Sequence, residues 1–453
     1  MSRYSNLLKN ASGYAQAFGA ADITSSDMRK AIATWFELYY HGVATKEEDP
    51  CQRIAYTIVR KLTKTVFSEY EATSDNEFAR KLLRELANVS EKAMQMALIG
   101  GEALLKPVLL PSGGMTFGVV PRNNVLVFGR DAYGALTDIG TMELSTAGNR
   151  YYTLLERRTV DGDGHLTIRY KLYQSYNEGN LGQQVPLGTL PRYAELQEEY
   201  TFQSPVNSIG LIALKTPMVN CVDGSSDSVS VYAAAVGLIH NIDENEAQIN
   251  GEFDRGQSRV IVSSDMLQRD AKGNAVLSDN LFVGLDEDPE TTGITIFTPQ
   301  LREQSFLARK QEYLRNVENV IGLKRGLLSE VEAAERTATE ITSSAGEYNL
   351  TVIDFQRKWE ETLRETMRVC AVLSKLYNVA GAQEIPEDAV TIDWGNGILY
   401  DETKTWEDYK SMVAAGLIKP EIALGWRFNM STETESDLAK IRQKYMPDAL
   451  EEE

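Results

Sequence analysis

The stretch GLKRGLLSEVEAAERTATEITSS, residues 322–344, carries the residue types best suited to specific chemistry. It sets Lys324, Arg325 and Arg336 among Glu330, Glu332, Glu335 and Glu340, just ahead of a long amphipathic pattern. Guanidinium and ammonium groups can touch phosphate oxygens. A surface loop usually gets by with Gly, Asn or Ser, so this much mixed charge ahead of a long helix calls for a reason. The plain alternative is an exposed connector. A second set of carboxylates, Asp243, Glu244, Glu246, Glu252 and Asp254, falls within residues 225–256. It reads either as an ordinary solvated helix face or as a surface turned towards a confined polyanion, where negative charge prevents sticking.

Other chemistries lack their signatures. The chain has no G-x-x-x-x-G-K-[ST] loop to cradle nucleotide phosphates and no H-E-x-x-H zinc motif. His41, His165 and His240 stand far apart, without metal-ligand spacing. Asp161-Gly162-Asp163-Gly164 looks like the start of a calcium loop but lacks the downstream ligands, so it reads as a hairpin turn. Gly113-Gly114 precedes no helical pattern and reads as a turn as well. No catalytic set, cofactor or metal is expected, and the chain does not read as an enzyme.

The elements that must position these charges follow from hydrophobic periodicity. Residues 25–40 place Met28, Ile32, Trp35 and Leu38 on one helical face; 51–70 do the same with Ile54, Ile58, Leu62 and Val66; a third helix is expected over 76–101. Residues 102–220 change to β texture, with hairpins over 102–120 and 150–175. A helix of roughly 43 Å is expected through 225–256, with Val229, Tyr232, Val236, Ile239, Ile242, Ile249 and Phe253 near one face. Short strands then cross 258–297, around a Lys-Gly-Asn turn at 272–274. Thr298-Pro299 signals a second helix of roughly 35 Å running to residue 321. After the charged stretch, Ile341, Ala345, Tyr348, Val352, Phe355, Trp359, Leu363, Met367 and Cys370 recur every three to four residues. Thr337 and Glu340 form a capping box at its start, and Gly346 is a site for a bend. A strand over 390–400 and short helices follow, one of them opened by Thr432 with Glu435.

Composition bounds the reading. The 453 residues suggest two to four packed units, and 43% apolar and 9% aromatic residues are enough for sizeable cores. A net charge of −19 argues against a tight, general nucleic-acid binder but not against a protein that lets nucleic acid pass. No apolar run is long enough for a membrane span, no secretory signal is expected, and Cys51, Cys221 and Cys370 form no disulfide framework.

The joint order of these parts is similar to the portal proteins of tailed double-stranded DNA bacteriophages, in the group of the A118- and SPP1-like portals. The residues that carry the resemblance are IGL (321–323) with the loop after it, RTATEITSS (336–344), ALIGGEALLKPVL (97–109), TIDWGNGILYDE (391–402) and VAAGLIKPEIAL (413–424). The resemblance implies an α+β portal fold: a wing over 1–224, a two-helix stem at 225–256 and 299–321, and a small α/β clip at 257–298. It further implies a tunnel loop at 322–336, a long kinked wing helix with a returning strand at 337–399, and a helical crown at 400–453. It also implies a dodecameric ring at one capsid vertex of a virion assembled in the host cytoplasm. Double-stranded DNA would enter and leave through that ring. Its partners would be the terminase large subunit, a head–tail adaptor, the major capsid protein and scaffold, with no membrane. On this reading Lys324, Arg325, Glu330, Glu332, Glu335 and Arg336 surround DNA, Asp243, Glu244 and Glu246 form an acidic stem face, and the motor that burns ATP is a separate chain. The alternatives are another virion structural or scaffold protein without a channel, or a capsid-associated enzyme.

Overall fold

The computed structural model describes residues 11–40, 50–110, 113–256, 259–261, 268–269, 275–276, 295–297, 300–330, 338–379, 381–395, 402–428, 430, 432 and 434–446. It is a mixed helix-and-sheet architecture. Helices α1 (Ala11–Phe18), α2 (Ser26–Tyr40) and α3 (Ile54–Val66) open the chain. Met28, Ile32, Trp35 and Leu38 of α2 are buried as the periodicity requires, as are Ile58, Leu62 and Val66 of α3. A short strand, β1 (Glu71–Ser74), follows. The helix expected over 76–101 is two helices, α4 (Glu77–Ala87) and α5 (Ser90–Gly100). At the break, the Ser90 hydroxyl turns back to the Ala87 carbonyl at 3.1 Å. Such local side-chain bonding competes with helix continuation.

The β region holds both expected hairpins. Strands β2 (Glu102–Leu109) and β3 (Met115–Pro121) pair antiparallel. Then come β4 (Val125–Arg130), β5 (Leu136–Ala147), β6 (Arg150–Val160), β7 (Leu166–Ser175), β8 (Gln183–Val185) and β9 (Glu199–Thr201), followed by β10 (Ile212–Lys215). They form a three-stranded sheet, β10-β2-β3, and a six-stranded sheet, β4-β5-β6-β7-β8, with β9 also on β7. The Asp161 turn joins β6 to β7: Asp161 Oδ1 accepts the backbone N–H groups of Asp163 at 3.0 Å and His165 at 2.8 Å. That carboxylate is capping its own turn.

A buried charge cluster ties the two sheets together. Glu156 of β6 accepts from Lys106 of β2 and, at 2.5 Å, from Arg158. Arg158 also donates to the carbonyls of Ile209 and Gly210. Burial pushes the Glu156 carboxyl up, but the charges of Arg158 and Lys106 outweigh it and hold the group at about 2.

Residues 225–235 are not the start of the next helix. Thr216 Oγ1 donates to the Val229 carbonyl at 2.7 Å, and Val231 N–H and Ser230 Oγ both donate to the Leu98 carbonyl. The stretch up to Val231 is therefore held against the end of α5, and a single 3-10 turn at Ala233–Ala235 leads into the next helix. Gly101, at φ +83°, lets it come this close: a Cβ there would sit 2.3 Å from the Ser228 carbonyl oxygen. Helix α6 begins only at Val236 and runs to Arg255, so its 20 residues span roughly 30 Å. Within the following insert, β11 (Arg259–Ile261) pairs with β14 (Thr295–Phe297), and β12 (Gln268–Arg269) pairs with β13 (Ala275–Val276). The expected turn at 272–274 lies outside the described residues, as does the Thr298-Pro299 signal. Helix α7 (Glu303–Ile321) starts later than that signal implied and spans roughly 28 Å.

Helix α8 (Ala338–Leu376) is the longest element, 39 residues or roughly 58 Å, and continuous through Gly346. Thr337 of the expected capping box lies outside the described residues. Val352, Phe355, Trp359, Leu363, Met367 and Cys370 are all buried. The Trp359 ring meets Phe67 edge-on at 5.2 Å, and the Tyr70 ring lies tilted against Trp394 at 4.8 Å. Trp394 follows strand β15 (Val390–Asp393), which pairs antiparallel with β1. Helices α9 (Glu402–Ala414), α10 (Pro420–Arg427) and α11 (Glu435–Tyr445) end the described chain. The cap of α11 is Thr434, whose Oγ1 accepts from Asp437 N–H at 3.2 Å, and not Thr432 with Glu435. The same Ser/Thr-x-x-acid spacing exists two residues further on, and the helix start selects it.

Replacing Glu156 with Ala strands Arg158 in the core and should lower unfolding free energy by about 3–5 kcal/mol. The folded Glu156 carboxyl lies below its ordinary value, so its contribution is present above about pH 4.5 and is lost as pH falls towards about 2. Unfolding followed from pH 6 to pH 2 should show this acid loss in the wild type and a flatter profile in Glu156→Ala.

Candidate functional site

Helices α6 and α7 run antiparallel. Glu246 pairs with Lys310 at 2.7 Å and Glu252 with Arg302 at 2.8 Å, so the ion pairs ascend one helix as they descend the other, and Asn245 Nδ2 donates to the Phe306 carbonyl at 3.2 Å. Ile239 and Ile242 of α6 and Leu314, Val317 and Ile321 of α7 bury the shared apolar stripe. Both helices therefore turn back from the insert to one core.

The expected acidic stem face is not one face. Asp243 is buried and accepts the Gln52 N–H at 2.8 Å, fixing the lead-in to α3. Glu246 is half-buried in its pair with Lys310, whose ammonium also donates to Gln52 Oε1 at 3.1 Å. Glu244 is exposed and opens into a groove of about 400 Å³ between the helices, where Arg302, Arg309, Asn241 and Gln248 also point. Two of the three carboxylates are thus spent on structure, and the third shares its groove with two arginines. Carboxylates at successive helix positions point in different directions, which proximity in sequence conceals.

At its C-terminal end α7 stops at Gly322, which takes a left-handed conformation at φ +76°; Leu323 N–H donates back to the Glu318 carbonyl at 2.8 Å. Lys324 and Arg325 follow and are exposed, and so is Glu330. The loop between them is anchored. The buried Glu318 carboxylate accepts from Gly326 N–H at 3.2 Å, Leu328 N–H at 2.5 Å, Ser329 N–H at 2.9 Å and Ser329 Oγ at 2.7 Å. Glu330 N–H donates to Gln311 Oε1 at 2.8 Å, Thr351 Oγ1 to the Gly322 carbonyl at 3.1 Å, and Lys61 Nζ to the Leu327 carbonyl. Leu323 and Ser329 are buried. The backbone of 322–330 is thus packed onto α7, while the side chains of Lys324, Arg325 and Glu330 stay exposed. Glu332, Glu335 and Arg336 lie outside the described residues.

The model of one family, described as phage portal protein, SPP1 Gp6-like, matches residues 123–445, which include both helices, the insert, the loop and α8. The chain belongs to that phage portal family. It is a structural family. A solved structure titled "Neck of native GTA particle computed with C12 symmetry" is similar over 90% of this chain and 96% of that one, at 12% identity and a TM-score of 0.44. No curated protein matches. In this portal chain no helix among the described residues is long and apolar enough to cross a membrane, and Cys51, Cys221 and Cys370 form no disulfide among the described residues.

Sequence reasoning missed Glu318, Gln311 and Lys310 as organisers of the portal's helix pair and loop. A signal existed for Glu318. It falls in the stripe of Leu314, Val317 and Ile321, at a position where an apolar residue is the rule. An acid on a core stripe needs hydrogen-bond donors, and the glycine- and serine-containing loop immediately after the helix supplies them.

The two classes of carboxylate on α6 separate by substitution. Asp243→Ala leaves the Gln52 N–H without this acceptor and should cost about 1–3 kcal/mol, whereas Glu244→Gln should stay within about 0.5 kcal/mol. Thermal unfolding of the two variants beside the wild type measures the contrast.

Proposed function

We propose that this portal chain assembles into a closed ring at a capsid vertex and forms a channel for double-stranded DNA during packaging and ejection. The observation that carries the reading is the family match, because it spans the helix pair, the insert, the charged loop and the long helix in one run. In this assignment α6 and α7 belong to the stem at 225–256 and 299–321, and 257–298 form the clip that docks the terminase large subunit and then a head–tail adaptor. Residues 322–336 line the narrowest part of the channel. Residues 1–224 and 337–399 make the wing, and 400–453 the crown, against the major capsid protein and scaffold. The ring is dodecameric and resides in the virion.

The charge pattern supports a channel that does not hold its cargo. Lys324 and Arg325 can touch phosphates, while Glu330, Glu332 and Glu335 limit counterion release, which is what makes basic surfaces cling to DNA. The acidic balance of the whole chain, −19, acts in the same direction at short range, within a Debye length of roughly 8–10 Å.

The mass of the purified assembly, with negative-stain images, tests the ring; a compact monomer under assembly conditions would overturn it. Changing Glu330, Glu332 and Glu335 to Lys tests the loop. Rings should still form, DNA should stick in the channel, and the length packaged per particle should fall, more at low salt than at high. Full-length packaging at both salts with intact rings would mean that these carboxylates do not face DNA.

A further inference from the structure

Glu318 stands on the last turn of α7 with 1% exposure. Among the described residues no lysine or arginine forms an ion pair with it. A buried carboxylate without a countercharge is costly unless its lone pairs are filled by donors. All four donors that fill them here come from the following loop, namely the N–H groups of Gly326, Leu328 and Ser329 and the Ser329 hydroxyl. The dependence is mutual. If the loop left, the carboxylate would be stranded, and three backbone N–H groups would lose their acceptor. Gln311, two turns earlier on the same face of α7, takes the next N–H, that of Glu330. Lys61 from α3 and Thr351 from α8 hold the carbonyls of Leu327 and Gly322.

We infer that Glu318 is a positioning residue that locks residues 323–329 to the end of α7, so that Lys324 and Arg325 present their charges as a fixed extension of that helix. The inference rests on the channel reading for its consequence. Phosphate contact falls to a preset basic pair, and Glu330 follows the locked turn. It departs from the view of residues 322–336 as one uniform charged loop. A displacement of α7 along its axis then carries the basic pair with it.

The test uses the full chain with Glu318→Gln, Ser329→Ala and, as a reference, Lys324→Gln/Arg325→Gln. Glu318→Gln replaces one acceptor oxygen with an amide donor facing N–H groups. Ser329→Ala removes a single donor without changing charge, and it serves if the first variant fails to fold. Hydrogen exchange of the peptide covering 323–330 reports the lock. Exchange of the Gly326, Leu328 and Ser329 amides should accelerate at least about tenfold in Glu318→Gln and measurably in Ser329→Ala. The salt dependence of DNA retention by assembled rings reports the consequence. Its slope should fall in both single variants towards that of the reference, although both keep Lys324 and Arg325.

Unchanged exchange in Glu318→Gln would overturn the lock. Faster exchange with a wild-type slope would overturn the positioning role and leave Glu318 a stabiliser of the turn. If the reference variant itself retained DNA with a wild-type slope, the channel role of the basic pair would fall, while the exchange result would still judge the lock.

Discussion

The buried stripe of α8 is the constraint on which the rest of the chain depends. Val352, Phe355, Trp359, Leu363, Met367 and Cys370 occupy one side of a single helix, and elements from the helical start and from the three-stranded sheet cover them. Helix α3 and the segment after it supply Phe67 and Tyr70 against Trp359. The sheet edge β10 packs further along, and Thr351 touches the end of α7 through Gly322. A helix amphipathic along this length transmits position from one end to the other, because close-packed side chains resist sliding past one another. The helix pair and its loop are therefore held at a defined place relative to both sheets.

Much of this architecture was legible. The α8 stripe, the faces of α2 and α3, and the two hairpins follow from period and turn chemistry, which act locally. What was not legible depended on partners far away in sequence. The helix expected from residue 225 begins at Val236, since the backbone of Val229–Val231 is already engaged by Leu98 and Thr216. Strand β1 is too short to announce itself and exists because β15 pairs with it. The cap of α11 shifts from Thr432 to Thr434 because two side chains offered the same spacing and only the helix start could choose between them.

Charge was the least legible property. Residues that sequence alone groups as an acidic face divide into a buried acceptor for Gln52, a partner of Lys310 and a groove residue. The loop charges divide too: Lys324, Arg325 and Glu330 are exposed on a turn whose backbone is committed to Glu318. Sequence reports the sign and number of charges. It does not report which of them have already been neutralised by neighbours, and that determines how much field remains for a polyanion.

The pairing of β1 with β15 has a consequence in time. Ser74 bonds to the Ala389 carbonyl across a separation of 315 residues, and the aromatic cluster of Phe67, Tyr70, Trp359 and Trp394 is completed in the same place. At roughly 5–20 residues per second of synthesis, β1 leaves the ribosome about 16–63 s before the strand that pairs with it. The β hairpins, whose contacts are local, can form during that interval. The N-terminal core can begin on the contacts of α2, α3 and α5 but is completed only by α8, and closing so distant a contact is slow. The nascent chain must stay monomeric through that wait, which makes the rate of elongation and the supply of chaperones the quantities that decide how much of it reaches the native state.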